Sequence, residues 1–259
     1  MLKFKIHIFL LIEIFFFILS LYLFRINLWG SFALLILSAL FLNFSLHITI
    51  HHFVHFNLKS KALNFVLSLL YTICLVFPYN IYKLQHINHH RYNNNINDIT
   101  STWKLKNNQL VPKNWFRYCF LWLFITPTKS FWKEAKEKDF APNEMTLIKV
   151  ELLILFSIYL LLFLINPFFV IWYALLFYFG WTFISITNYG QHLPIIKHTP
   201  TAFTFNNKIY NLLFFNNGLH LEHHNNAHLD YNELTPKMKN EILIPHLIAG
   251  LINLKQYEK

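Results

Sequence analysis

A chain of 259 residues that is 55% hydrophobic and 19% aromatic but only 13% charged has too little polar material to cover a water-soluble globule. The net charge of +10 lies between apolar blocks and not in one basic domain, which argues against a nucleic-acid partner and for membrane topology. The only cysteines, Cys74 and Cys119, lack CxxC spacing, so neither a disulfide framework nor a thiolate metal site is expected.

Residues Phe4 to Phe24 supply about 20 apolar positions, enough to cross a hydrocarbon core of roughly 30 Å. The run is too long for a signal peptide and has no small-residue cleavage site, so it is expected to be the first spanning helix (4–24). Glu13 lies near its middle, where a charge is costly, and should face the bundle. After a turn at Arg25 to Leu28, the run 29–46 returns and delivers His47 and His51 at i, i+4 spacing, with His52 and His55 as supporting or surface groups. Ala62 to Phe77 is short for a span and lies between two histidine groups that must share a side, so 62–77 is expected to be re-entrant or interfacial. Gln85 to Tyr92 reads QHINHHRY, and on a helix its His86, His89 and His90 would share one face.

The loop RYNNNINDIT follows, with Asn and Asp side chains suited to bonding backbone or neighbouring imidazoles. Trp115 to Ile125, stopped by Pro127, reads as a short interfacial or buried helix, and Lys133 to Asp139 as a solvated charge run. The runs 147–165 and 167–186 form a second hairpin, joined at Asn166 and opened by Pro167. Asn188 and His192 stand at its exit, and HLEHH later repeats the earlier spacing as His220, His223 and His224. The expected fold is an all-α integral membrane protein, one domain over 1–259, with two transmembrane hairpins and a cytoplasmic helical cap carrying the histidines. Both termini are then cytoplasmic, and of 22 Lys and Arg only Arg25 falls outside.

A lone histidine on an apolar helix is usually a satisfied core residue; repetition at ligand spacing reverses that expectation. His47, His51, His86, His89, His90, His192, His220, His223 and His224 are too many for one zinc ion and suit two metals of five or six coordination, with Asn188 as a further, water-mediated contact. Imidazole alone does not select among iron, copper, zinc and nickel. Zinc-protease chemistry is disfavoured, because no HExxH occurs and His47 is followed by Ile48.

In order, HITIH, HINHH and HLEHH between two apolar hairpins resemble the histidine boxes of the membrane fatty acid desaturase and hydroxylase family, from about Phe44 to Leu234. NYGQH is similar to the NxxxH element of its acyl-CoA desaturases. The resemblance implies that the nine histidines above hold two non-haem irons and that dioxygen is the co-substrate. It also implies an external ferredoxin or cytochrome b5-type electron donor, since no heme-type HPGG motif occurs. The expected activity is insertion of a double bond into the acyl chain of a membrane lipid substrate, with hydroxylation or ketolation of a lipid or carotenoid as the alternative. An unactivated C–H bond offers no acidic proton, so acid–base groups cannot break it and a metal cofactor must. A divalent-metal transporter is disfavoured, because its ligands would lie between spanning helices and not at their ends. Three features depart from the family pattern: Ile48 replaces an acidic residue, HxxxH selects His51 where HxxxxH would select His52, and Asn225-Asn226-Ala227 replaces a proline. His7, His198 and His246 fall outside the boxes and are expected to tolerate alanine.

Overall fold

Apolar runs this long and this poor in breakers bury their backbone polar groups in their own hydrogen bonds, and helix is the form that does so within one segment. The computed structural model describes residues 7–56, 58–122, 142–194, 202–236 and 241–253. The charge run Lys133 to Asp139, His198 and the second part of the 115–125 segment lie outside these residues. The described chain is mostly helical and gathers into two compact units, Met1–Leu84 with Pro127–Trp181 and Gln85–Thr126 with Thr182–Lys259.

The first unit begins with α1 (Ile8–Leu23) and α2 (Leu28–His55). Asn27 caps α2 by accepting from the Gly30 amide at 2.9 Å, which fixes the turn between them. Their contact is lined by small buried residues, Ser20, Ser31, Ser38 and Ala39, which let the two backbones approach. Ser31 Oγ donates to the Ser20 carbonyl at 2.6 Å and Ser38 Oγ to the Glu13 carbonyl at 2.9 Å, and Glu13 itself is buried. Near its end α2 changes winding: Ser45–Ile50 is π-helical, and His51–His55 is α-helical again.

Next come α3 (Lys61–Leu75), capped by Ser60, and α4 (Tyr79–Tyr92), bent by 90° from it. Val76 makes the bend at φ 51, a left-handed conformation that a β-branched residue adopts only under strain. The carbonyls that α3 leaves open at its end are met from α7 (Pro167–Gln191): Tyr173 donates to Ile73 at 2.6 Å and the Trp181 indole to Leu75 at 2.9 Å. Glu151 on α6 (Pro142–Ile165) accepts from the backbone and side chain of Asn80 at 3.0 and 2.6 Å, a carboxylate at the amino end of α4. Phe24 packs edge-on against Trp172 at 4.7 Å, and the Trp172 indole donates to Ser31, so α1, α2 and α7 (Pro167–Gln191) pack together.

Three helices are long and apolar enough to cross a membrane among the described residues: Leu28–His55, Glu144–Ile165 and Pro167–Gln191. The bent pair α3 and α4 passes that test only when taken together, as a broken span or a re-entrant loop. The helix at the start of the chain is described over Ile8–Leu23, too short to pass it.

The second unit corrects the all-α expectation. Trp103–Lys106 (β1) and Gln109–Pro112 (β2) pair antiparallel, Lys106 opposite Gln109. Asn107 and Asn108 both have positive φ, 51 and 58, the conformation a tight two-residue hairpin turn demands. Between the loop RYNNNINDIT and Trp115 the sequence led to no expected element, and the signal in this stretch is the Asn107-Asn108 pair. Behind the hairpin, α5 (Trp115–Phe120) contributes Cys119 to a core of Ile186, Tyr189, Leu193, Phe203, Phe205, Ile242 and Ala249.

Short helices α8 (Lys208–Leu213), α9 (His220–Asn225) and α10 (His246–Leu251) complete the unit. The end of α7 meets α10 backbone to backbone: a Cβ on Gly190 would lie 1.9 Å from the His246 carbonyl oxygen, and one on Gly250 1.8 Å from that of Ile186. Backbone cannot swing aside as a side chain can. Gly190→Ala should therefore destabilise the fold by at least the ~1–3 kcal/mol typical of overpacking, seen as a lower thermal midpoint in detergent, whereas Gly30→Ala, which meets the Asn27 side chain at 3.1 Å, should be milder.

Candidate metal centre

Local folding decides where each imidazole of the second unit arrives. The last turns of α4 carry His86, His89 and His90; His192 follows directly on α7; α9 carries His220, His223 and His224. The chain into α9 is held by Asn211, whose side chain accepts from the Gly218 amide at 3.1 Å and donates to the Phe205 carbonyl at 3.3 Å. Gly218 has no room for a side chain there, since its Cβ would lie 2.4 Å from both of those oxygens.

The two HxxHH boxes do not each present one face with three imidazoles, as their spacing suggested. Each divides. In α4 the i, i+4 pair His86 and His90 has ring centroids 4.5 Å apart, while His89 stands 6.0 and 5.8 Å from them. In α9 the pair His220 and His224 is 4.6 Å apart, with His223 at 6.2 and 6.1 Å. The middle histidine of each box joins the outer pair of the other: His223 Nε2 lies 3.1 Å from His90 Nε2, and His89 Nε2 lies 3.1 Å from His224 Nε2. His192 joins the second group, its Nε2 3.0 Å from that of His220.

The ligand nitrogens of His89, His192, His220 and His224 lie within 4.8 Å of one another. Nε2 contacts run His192 to His220, His220 to His224, and His224 to His89, at 3.0, 3.1 and 3.1 Å. A ring nitrogen carries one proton or offers one lone pair, so at most two of these three contacts can be hydrogen bonds. A cation removes the conflict by receiving all four lone pairs. Ligands about 2.1 Å from a metal and at right angles would be about 3.0 Å apart, so the spacing fits a metal. Burial, reinforced by the neighbouring imidazoles, pushes His220 and His224 well below the usual histidine range, which keeps them in the neutral form that ligates.

Behind His89 stands a carboxylate. Asp98 Oδ2 is 2.6 Å from His89 Nδ1 and also accepts from the Asn94 amide at 3.0 Å. Asp98 Oδ1 accepts from the Thr100 amide and hydroxyl at 2.7 and 2.8 Å. Burial alone would raise its pKa, but His89 and the Thr100 bonds overcome this and hold it well below the usual carboxylate range. The network continues outward: Tyr118 donates to the Thr100 carbonyl at 2.6 Å, and the Asn188 amide nitrogen donates to Tyr118 at 2.5 Å. Asn188, expected as a water-mediated ligand, is thus placed with its nitrogen on Tyr118. Thr102 donates to the His192 carbonyl at 2.7 Å, tying the same loop to a second histidine.

Sequence reasoning foresaw that this loop would bond imidazoles but singled out neither Asp98 nor its partners. A carboxylate nine residues after His89, in an Asn-rich loop, was the available signal. Glu222, inside the third box, is buried and accepts a short bond from the Thr204 hydroxyl; nothing in the spacing pointed to Thr204.

The first-box histidines belong to the first unit. His47 lies on the π-helical turn and is buried; the His51 Nδ1 is 3.3 Å from its carbonyl. His52 is buried and not on the surface, and His55 packs edge-on to His51 at 5.2 Å. Of the histidines outside the boxes, His7 bonds Tyr71 at 2.9 Å. His246 is fully buried and bonds the Phe203 carbonyl at 3.0 Å, so alanine there costs packing even though the residue lies outside the four-nitrogen group. Burial lowers its pKa to about 4, with the carbonyl bond opposing.

No match to this chain was found among curated proteins or among solved structures. The fatty acid desaturase family model matches residues 27–242, a stretch that contains every box, the two longest apolar helices and the described metal-type histidine groups. On that match, with the paired histidine groups it encloses, the chain belongs to the fatty acid desaturase family.

Proposed function

We propose that the protein is an oxygen-dependent desaturase that introduces a double bond into the acyl chain of a membrane lipid substrate. The observation that carries the reading is the reciprocal sharing of the two HxxHH boxes, which builds two histidine groups where one metal would need only one. Two bound irons would supply the dioxygen and one-electron chemistry that an unactivated C–H bond requires. His89, His192, His220 and His224 would hold one, and His86, His90 and His223 would contribute to the other. His47 and His51 of the first box are assigned to the set by the family resemblance, with Asn188 as a water-mediated contact. The apolar helices would hold the hydrocarbon chain and keep water from the site.

The reaction balances as one –CH2–CH2– unit, one dioxygen, two electrons and two protons giving –CH=CH– and two waters. The electrons come from a separate carrier, a ferredoxin or a cytochrome of the b5 type. Lys59, Lys61, Lys104 and Lys106 are exposed, and Lys83 and Lys113 half-buried, so an acidic carrier would be steered by charge and released by salt. Four spans, with both termini and the boxes cytoplasmic, remain the topology proposed from the placement of Lys and Arg.

Purified from iron-replete cells, the protein should bind about two irons, and His89→Ala, His220→Ala or His224→Ala should each lose metal and turnover. Stoichiometric zinc without iron would overturn the reading. With carrier, reductant and labelled dioxygen, the lipid product should gain a double bond and retain no oxygen-18; one retained atom would make the enzyme a hydroxylase or ketolase instead. Cysteines introduced beside His86 should be shielded from impermeant labels in intact cells, and labelling there would refute the topology.

A further inference from the structure

We infer that Asp98 is a positioning residue for one metal only: it fixes the proton of His89 on Nδ1 and so aims the Nε2 lone pair at the group formed with His192, His220 and His224. The inference rests on reading those imidazoles as metal ligands. A carboxylate can only accept, so the 2.6 Å contact requires Nδ1–H on His89, and in the neutral ring that ligates a metal Nε2 then carries the lone pair. The ring cannot then turn over without losing its partner. Asp98 is itself held from two sides, by the Asn94 amide at 3.0 Å and by the Thr100 amide and hydroxyl at 2.7 and 2.8 Å. Thr100 Oγ1 also lies 3.1 Å from His89 Nδ1, so one hydroxyl braces both members of the pair.

The His89 group is thus backed by a negative charge, which raises the basicity of its ligand. Partners of this kind are typically worth about 10–100-fold in metal affinity.

The test is an anaerobic titration of the full-length protein in detergent with ferrous iron, counting bound metal, and a parallel cobalt titration read by its visible absorption. Wild type should bind two equivalents. Asp98→Asn, whose amide oxygen can still accept from Nδ1 but carries no charge, should bind one equivalent normally and the other about 10–100-fold more weakly. The cobalt spectrum of the weakened site should change. Ser101→Ala removes a bond to the Asn94 carbonyl in the same loop without touching an imidazole, and should leave both equivalents as in wild type. Should Asp98→Asn fail to fold, Thr100→Val keeps the carboxylate and removes its brace, and should weaken the same single equivalent by a smaller factor.

Wild-type affinity and spectrum in Asp98→Asn, or an equal loss in Ser101→Ala, would overturn the assignment while leaving the metal site standing. Wild type that binds no metal would overturn both.

Discussion

Lone pairs that meet without enough protons between them are the constraint around which the second unit is built. Four ring nitrogens in contact can be reconciled by a cation or by moving apart, and the surroundings do not let them move apart. His89 is fixed by Asp98, the backbone of His192 by Thr102, and the start of α9 by Asn211 and the space left at Gly218. Each fixing group is itself bonded to backbone, so the strain of bringing imidazoles together is carried by a network and not by any one contact. The backbone contact of Gly190 with α10 serves the same end one layer further out, because it sets where α7 stops and hence where His192 begins.

The first unit faces the opposite problem, that of keeping polar groups satisfied within apolar surroundings. Its solutions are local and economical. Serines on α2 donate to backbone carbonyls of α1, and Tyr173 and Trp181 meet the open end of α3. The polar tips of these aromatic rings do here what water does at a helix end on a soluble protein. Such a scaffold can make a sharp bend at Val76 because the carbonyls exposed by the bend already have donors.

Helices were legible in the sequence because their apolar runs are long, and the histidines because their spacing recurs. What could not be read is which way each histidine goes. Positions i, i+3 and i+4 share a helix face in projection, but i+3 and i+4 lie on opposite sides of i, so the face is wide enough to serve two targets at once. Only the approach of a second helix with the same spacing turns that width into a division, and approach is a tertiary fact. The β-hairpin was missed because its strands are only four residues long, WKLK alternating lysine with apolar residues and QLVP showing no alternation, and its one strong signal is the Asn107-Asn108 turn. Asp98 was legible as a polar loop residue but not as His89's partner, since that pairing depends on how the Asn-rich loop closes.

The π-helical turn at Ser45–Ile50 acts as a phase shift between two sequence patterns carried by one helix. Before it, residue choice on α2 obeys packing against α1; after it, the chain must present His51 to His55 in a direction of its own. An α-helix advances about 100° per residue, so the additional residue held in a π-turn sets the angular offset between the two stretches. Evolution can therefore retune the histidine end by one insertion or deletion within these six residues without disturbing the packing of Leu28–Phe44. The same economy makes the turn a point of fragility: lose one residue there and every histidine beyond it points about 100° away, while the membrane helix before it stays intact.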